Sequence, residues 1–248
     1  MTKKHGCQPA HGTYFVVRVT DDFAAAAIDS RENIGQVYKD EGCKIVPLDK
    51  STIFLCQGIA HGETSRGEFD ARKIAKEKFA EQAKPVNLTT MAASWAAEMQ
   101  KHIEALCATK PTLIANMKPD AAGAVFLGHD GSGPVDGVVV HIQESSGQVQ
   151  TMIDPLSKTR PVFTAYPKII DEVLDGSTAR AKDLFACLAR PSNKATEWAV
   201  IAEACIRAII EWIRDPEVGG EIVSIVLERG EEWRWVKAPT SQMPTTQT

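Results

Sequence analysis

Blocks of short strands alternate with pairs of helices along this chain, and that order constrains its fold more than any single motif. Residues 13–19, 23–28, 43–48 and 53–57 are runs rich in β-branched or apolar residues, separated by turn chemistry. Residues 63–84 then take on helical composition, with Phe69, Ile74 and Phe79 set among Lys, Arg and Glu. Pro85 stops that helix, and Asn87 or Thr89 caps a second one running to about Thr109. Its apolar positions Met91, Trp95, Met99, Ile103 and Leu106 recur at helical spacing and mark a core stripe. Strands return at 124–128, 135–142, 149–153 and 161–166, with Gly131-Ser132-Gly133 read as a turn. Two further helices, 168–190 and 194–213, and a last hairpin, 221–228 with 232–236, complete the pattern. Such blocks predict an α+β chain in which two sheets are sandwiched between helix layers.

Composition narrows the classes of function. With 44% hydrophobic and 24% charged residues, the chain reads as an ordinary globular protein of one main domain. The net charge of −4 with dispersed Lys and Arg offers no footprint for nucleic acid and no polybasic membrane patch. No apolar run reaches the length of a membrane span. The six cysteines form no C-x-x-C pair and no zinc-like spacing, so no metal site is expected. Cys56, Cys107, Cys187 and Cys205 lie in apolar stretches and are expected to be buried thiols of a reduced, cytoplasmic protein. A native signal peptide removed from the chain would instead make it periplasmic or secreted. Residues 1–12 read as a short leader, 13–238 as the domain and 239–248 as a polar, disordered tail.

One stretch carries candidate chemistry. Gly12-Thr13 is followed sixteen residues later by Asp29-Ser30-Arg31, across two apolar runs broken by Thr20-Asp21-Asp22. A hairpin of this length returns Asp29 to the side of Thr13. Lys44, in a Lys-Ile-Val context, opens the third strand, and Gly58 follows the fourth. A threonine hydroxyl is a poor nucleophile until a base takes its proton. If Thr13 begins the mature chain, its own α-amino group, with a reference pKa of ~7.7–8.0, can be that base. A neighbouring ammonium favours the anion, and an aspartate holds the ammonium in place.

These residues, in this order, resemble the N-terminal-nucleophile (Ntn) hydrolases, and specifically the β-type subunits of the proteasome. Near the C-terminus, Arg214-Asp215-Pro216-Glu217-Val218-Gly219-Gly220 is similar to the Arg-Asp-x-x-Ser-Gly-Gly segment of those subunits. The resemblance implies a four-layer αββα sandwich and cleavage after Gly12. It implies Thr13 as nucleophile, Asp29, Lys44 and Asp215 as its supporting residues, and Gly58 as an oxyanion donor. It implies a peptide or amide substrate, no cofactor, and a homo-oligomer, ring or dimer. Val218 stands where the family has a serine, and the Gly-Ser-Gly that opens the family's third helix has no counterpart here. Two other readings stay open: a non-catalytic structural subunit of the same fold, and a small-molecule amidase or acylase.

Overall fold

The computed structural model describes residues 13–34, 37–39, 44–111, 120–145, 147–164, 186–187, 192–213 and 219–240. Strands β1 (Phe15–Val19) and β2 (Phe23–Asp29) form the first hairpin, and β3 (Glu32–Ile34) and β4 (Val37–Lys39) a small separate one. Strands β5 (Ile45–Pro47) and β6 (Thr52–Gly58) follow, then β7 (His61–Thr64) and β8 (Gly67–Asp70). Helices α1 (Ala71–Ala80) and α2 (Leu88–Thr109) lead to β9 (Ala122–Gly128), β10 (Asp136–Ser145), β11 (Gln148–Pro155) and β12 (Val162–Thr164). Helix α3 (Ala195–Ile213) and strands β13 (Ile222–Glu228) and β14 (Arg234–Lys237) close the described chain.

Two five-stranded sheets result, ordered β12-β1-β2-β13-β14 and β11-β10-β9-β6-β5, with antiparallel pairing throughout. Three buried clusters fix the layer order. Phe15, Val17, Ile28, Ile53, Leu55, Val125 and Val223 pack between the sheets. Tyr14, Val16 and Ala27 pack outward against Trp198, Ala202 and Ile206 of α3. Phe54, Phe126 and Val140 pack outward against Ile74 of α1 and Met91, Trp95 and Met99 of α2. The architecture is therefore α-β-β-α, as the alternation of blocks predicts.

The α2 stripe is core: Met91, Trp95, Met99, Ile103 and Leu106 are all fully buried. Asn87 caps the helix by accepting from the Thr90 N–H at 2.9 Å. Two expectations need correction. Residues 63–70 are not helical: β7 and β8 form a hairpin around a Thr64 turn, in which the Arg66 N–H donates to Thr64 Oγ1 at 3.1 Å. Their charged composition comes from the exposed hairpin residues Glu63, Arg66 and Glu68, and the helix starts only where Asp70 caps Arg72 and Lys73. Cys187 and Cys205 are not free thiols but a disulfide, with Cα atoms 6.2 Å apart. It joins Cys187 to the buried face of α3, while Cys56 and Cys107 are in no disulfide. Most of the expected helix 168–190 lies outside the described residues.

Trp95 joins three elements. Its Nε1 donates to the Ala71 carbonyl at 2.9 Å, and its ring meets Phe54 at 5.6 Å and Phe126 at 6.0 Å. Trp95→Ala is expected to lower unfolding stability by about 3–5 kcal/mol. Urea denaturation of the two proteins checks this.

Candidate active site

The site is assembled by the first hairpin. Thr20 sets the turn: its N–H donates to the Phe23 carbonyl at 2.8 Å, and its Oγ1 accepts from the Phe23 N–H at 3.0 Å. From this turn the register runs Val19↔Ala24 back to Phe15↔Ile28. The next pair along is Tyr14 and Asp29. The Asp29 N–H donates to the Tyr14 carbonyl at 3.1 Å, and the Tyr14 N–H donates to Asp29 Oδ1 at 2.7 Å. Asp29 is thus bonded to the peptide unit joining Thr13 to Tyr14. Thr13 itself is 5% exposed and Asp29 is fully buried.

Asp29 gathers two more donors on its other oxygen. Lys44 Nζ lies 3.1 Å from Asp29 Oδ2, and the Gly219 N–H donates to the same atom at 3.4 Å. Lys44 is held by its backbone, whose carbonyl accepts from the Cys56 N–H of β6 at 3.3 Å. Burial pushes the Asp29 carboxyl above the usual carboxylate range. The Lys44 ammonium and the Tyr14 and Gly219 N–H groups pull it back. Such a buried pair contributes little net stability, because desolvation offsets most of the attraction. What it provides is geometry: an ammonium fixed beside the first peptide unit of β1.

The third donor comes from a segment whose backbone is tied to residues 29–31. The Ser30 N–H donates to the Glu221 carbonyl at 2.7 Å, and the Arg31 N–H to the Gly219 carbonyl at 3.0 Å. The Glu221 N–H returns to Ser30 Oγ at 2.8 Å. Gly219 has φ 150°, and a Cβ on it would sit 2.9 Å from the Arg31 guanidinium carbon. Ser30, Arg31, Gly219 and Glu221 therefore belong to the support of the site. The Asp29-Ser30-Arg31 triplet and the Gly219-Gly220 pair were its visible signals. Asp215, Val218 and Gly12 lie outside the described residues.

Gly58 ends β6 at φ 68°, a conformation that disfavours any side chain. A Cβ there would lie 2.7 Å from the Ala121 carbonyl oxygen, which already accepts from the Ile59 N–H at 2.9 Å. The Lys44 carbonyl and Cys56 place the start of β5 beside the last residues of β6, so Gly58 and Lys44 share one end of this sheet. His129, by contrast, lies at the opposite end. Its Nδ1 accepts from the Gly131 N–H at 3.0 Å and its Nε2 bonds the Glu231 carbonyl at 2.9 Å, so it braces a turn. Among the described residues, no three His, Cys, Asp or Glu side chains converge as metal ligands.

Two substitutions test this geometry. Lys44→Met leaves a buried carboxylate without its ammonium and is expected to cost about 3–5 kcal/mol. The folded-state Asp29 pKa then rises further above its reference of 3.8, so the variant is most stable below that value and loses stability as pH increases. Adding Asp29→Asn to Lys44→Met should recover part of the loss and flatten the pH dependence, as read by chemical denaturation at several pH values. Gly58→Ala should cost at least about 1–2 kcal/mol from its left-handed backbone alone, with the Ala121 clash added, measurable by thermal unfolding.

No protein-family model matches the sequence, and no curated protein matches it. Solved structures do match. A mutant of Anbu from Hyphomicrobium sp. strain MC1 aligns with a TM-score of 0.56 at 13% identity, covering 92% of this chain and 88% of that one. At this identity the likeness is one of fold, and the fold is Ntn-hydrolase-like, of the proteasome type.

Proposed function

We propose that the chain is a threonine-type, proteasome-like Ntn hydrolase acting on peptide or other amide bonds. The observation that carries this reading is Asp29, buried and bonded at once to Tyr14 N–H, Lys44 Nζ and Gly219 N–H. A carboxylate so placed binds a lysine ammonium next to the residue that would become the N-terminus. Cleavage between Gly12 and Thr13 frees the Thr13 α-amine. That amine takes the hydroxyl proton as Thr13 Oγ1 attacks the substrate carbonyl. The Lys44 ammonium lowers the energy of the developing alkoxide, and the N–H of Gly58 donates to the oxyanion. The leaving amine takes the proton, an ester to Thr13 remains, and water releases it. Asp215 is assigned to supporting the amine, as the resemblance implies.

A homo-oligomer, ring or dimer, fits the likeness to Anbu. No cofactor and no metal enter this chemistry. The Cys187–Cys205 disulfide favours an oxidising compartment over the cytoplasm expected from sequence. No helix among the described residues is long and apolar enough to cross a membrane. A second reading, a non-catalytic subunit of the same fold, is favoured by one residue, Val218 in place of the family's serine.

Intact mass and N-terminal sequencing of the purified protein test the proposal. The expected result is a mature chain beginning at Thr13, with Thr13→Ala remaining uncut. A wild-type chain that retains residues 1–12 after prolonged incubation would contradict it and support the non-catalytic reading.

A further inference from the structure

A second polar cluster lies at the Gly58 end of the same sheet and is not used by the chemistry above. Register places it: Gly58 pairs with Ala122, Gln57 with Gly123, and Gly123 with His141. Strand alternation gives its face. Ile53, Leu55, Val125 and Val139 point between the sheets, whereas Cys56, Ala122, Val140 and Ile142 point to the helices. Gln57, His141 and Gln143 therefore face the interior between the sheets, at the end of this sheet that also carries Lys44.

Asp120 organises the cluster. Its side chain is 8% exposed and bonds His141 Nδ1 at 2.6 Å. It also accepts from Gln143 Nε2 at 2.8 Å and from Gln57 Nε2 at 3.4 Å. With Nδ1 committed, the free nitrogen of His141 is Nε2, which makes no hydrogen bond among the described residues, and the side chain is 24% exposed. Beside it, across the strand pair, Met152 is 45% exposed. An imidazole clamped at one nitrogen and open at the other, beside an accessible apolar side chain, is arranged to receive a group rather than to fill a core.

We propose that His141, oriented by Asp120, is a substrate-recognition residue whose imidazolium form, with Nδ1–H given to Asp120, donates its Nε2–H to a side-chain acceptor, a carboxamide or a carboxylate, on the substrate. This rests on the hydrolase reading of Thr13. Strands lie about 4.8 Å apart, so β10 is roughly 10 Å from the Gly58 strand, or about three extended residues. The charged groups acting on His141 are Asp120, before β9, and Asp154 of β11; β6 and β10 present Gln57 and Gln143, which do not titrate. The hydrogen bond to Asp120 pushes the imidazole pKa up, burial opposes it, and the charges of Asp120 and Asp154 add to the rise. The donor form of Nε2 thus persists closer to neutral pH than in a free histidine.

Calorimetric titration tests this. Tetrapeptide amides carrying Gln, Glu or Leu three residues before the C-terminal amide are added to the full-length protein. The Gln or Glu peptide should bind about tenfold more tightly than the Leu peptide, and whichever is tighter identifies the acceptor. His141→Leu should abolish the difference. Asp120→Asn, which keeps the side-chain shape, should weaken it at neutral pH and restore it at lower pH. Equal binding of all three peptides, or a preference unchanged in both variants, would overturn the proposal. The same peptides as fluorogenic amides separate the two readings. A binding preference without turnover contradicts the hydrolase, whereas turnover without a preference contradicts only the role of His141.

Discussion

A fully buried carboxylate must be satisfied by its neighbours, and the structure around the candidate site follows from how Asp29 meets that demand. Two of its three donors are peptide N–H groups, from Tyr14 and Gly219, and the third is the Lys44 ammonium. Each comes from a different part of the chain: the start of β1, the residues before β13, and the entry to β5. Removing any one leaves a buried charge short of a partner, which is far costlier than the net stability the cluster supplies. The arrangement is therefore better understood as a positioning device than as a source of stability.

The layers make that device possible. Antiparallel pairing of β2 with both β1 and β13 puts the end of one strand beside the beginnings of the other two. The second sheet brings Lys44 and Gly58 to the facing end, and the inter-sheet core of Phe15, Ile28, Leu55 and Val223 holds the two sheets together. Helix layers on both outer faces leave the central strands no solvent side. The polar groups at this end, Asp29 with Lys44 in one place and Asp120 with His141 in another, are each internally paired, as burial requires.

Much of this was legible in the sequence, for physical reasons that differ by element. The Met91-to-Leu106 stripe has helical period and proved to be core. The meeting of Asp29 with the start of β1 was legible because a short hairpin leaves little freedom in where its ends meet, whereas Lys44 lies on the other sheet and was legible only through its Lys-Ile-Val context and the family resemblance. The run Ala24–Ala27 shows how composition alone can mislead: alanine favours helix, yet burial on both faces and pairing on both edges keep it a strand. The hairpin at 61–70 was hidden because its exposed charges imitate a solvated helix face. The three-residue strands β3 and β4 carry too little periodicity to be read. The Cys187–Cys205 bridge could not be chosen from spacing, and His141 and Asp120 meet only through the sheet register.

The central claim is that this geometry activates Thr13, and covalent labelling tests it most directly. The mature protein is treated with a hydroxyl-directed electrophile, such as a β-lactone, and the adduct is located by peptide mapping. A single adduct on the N-terminal Thr13, much reduced in Lys44→Met at equal folded fraction, is the predicted result. Unlabelled Thr13 in folded wild-type protein, or labelling that does not depend on Lys44, would contradict the account.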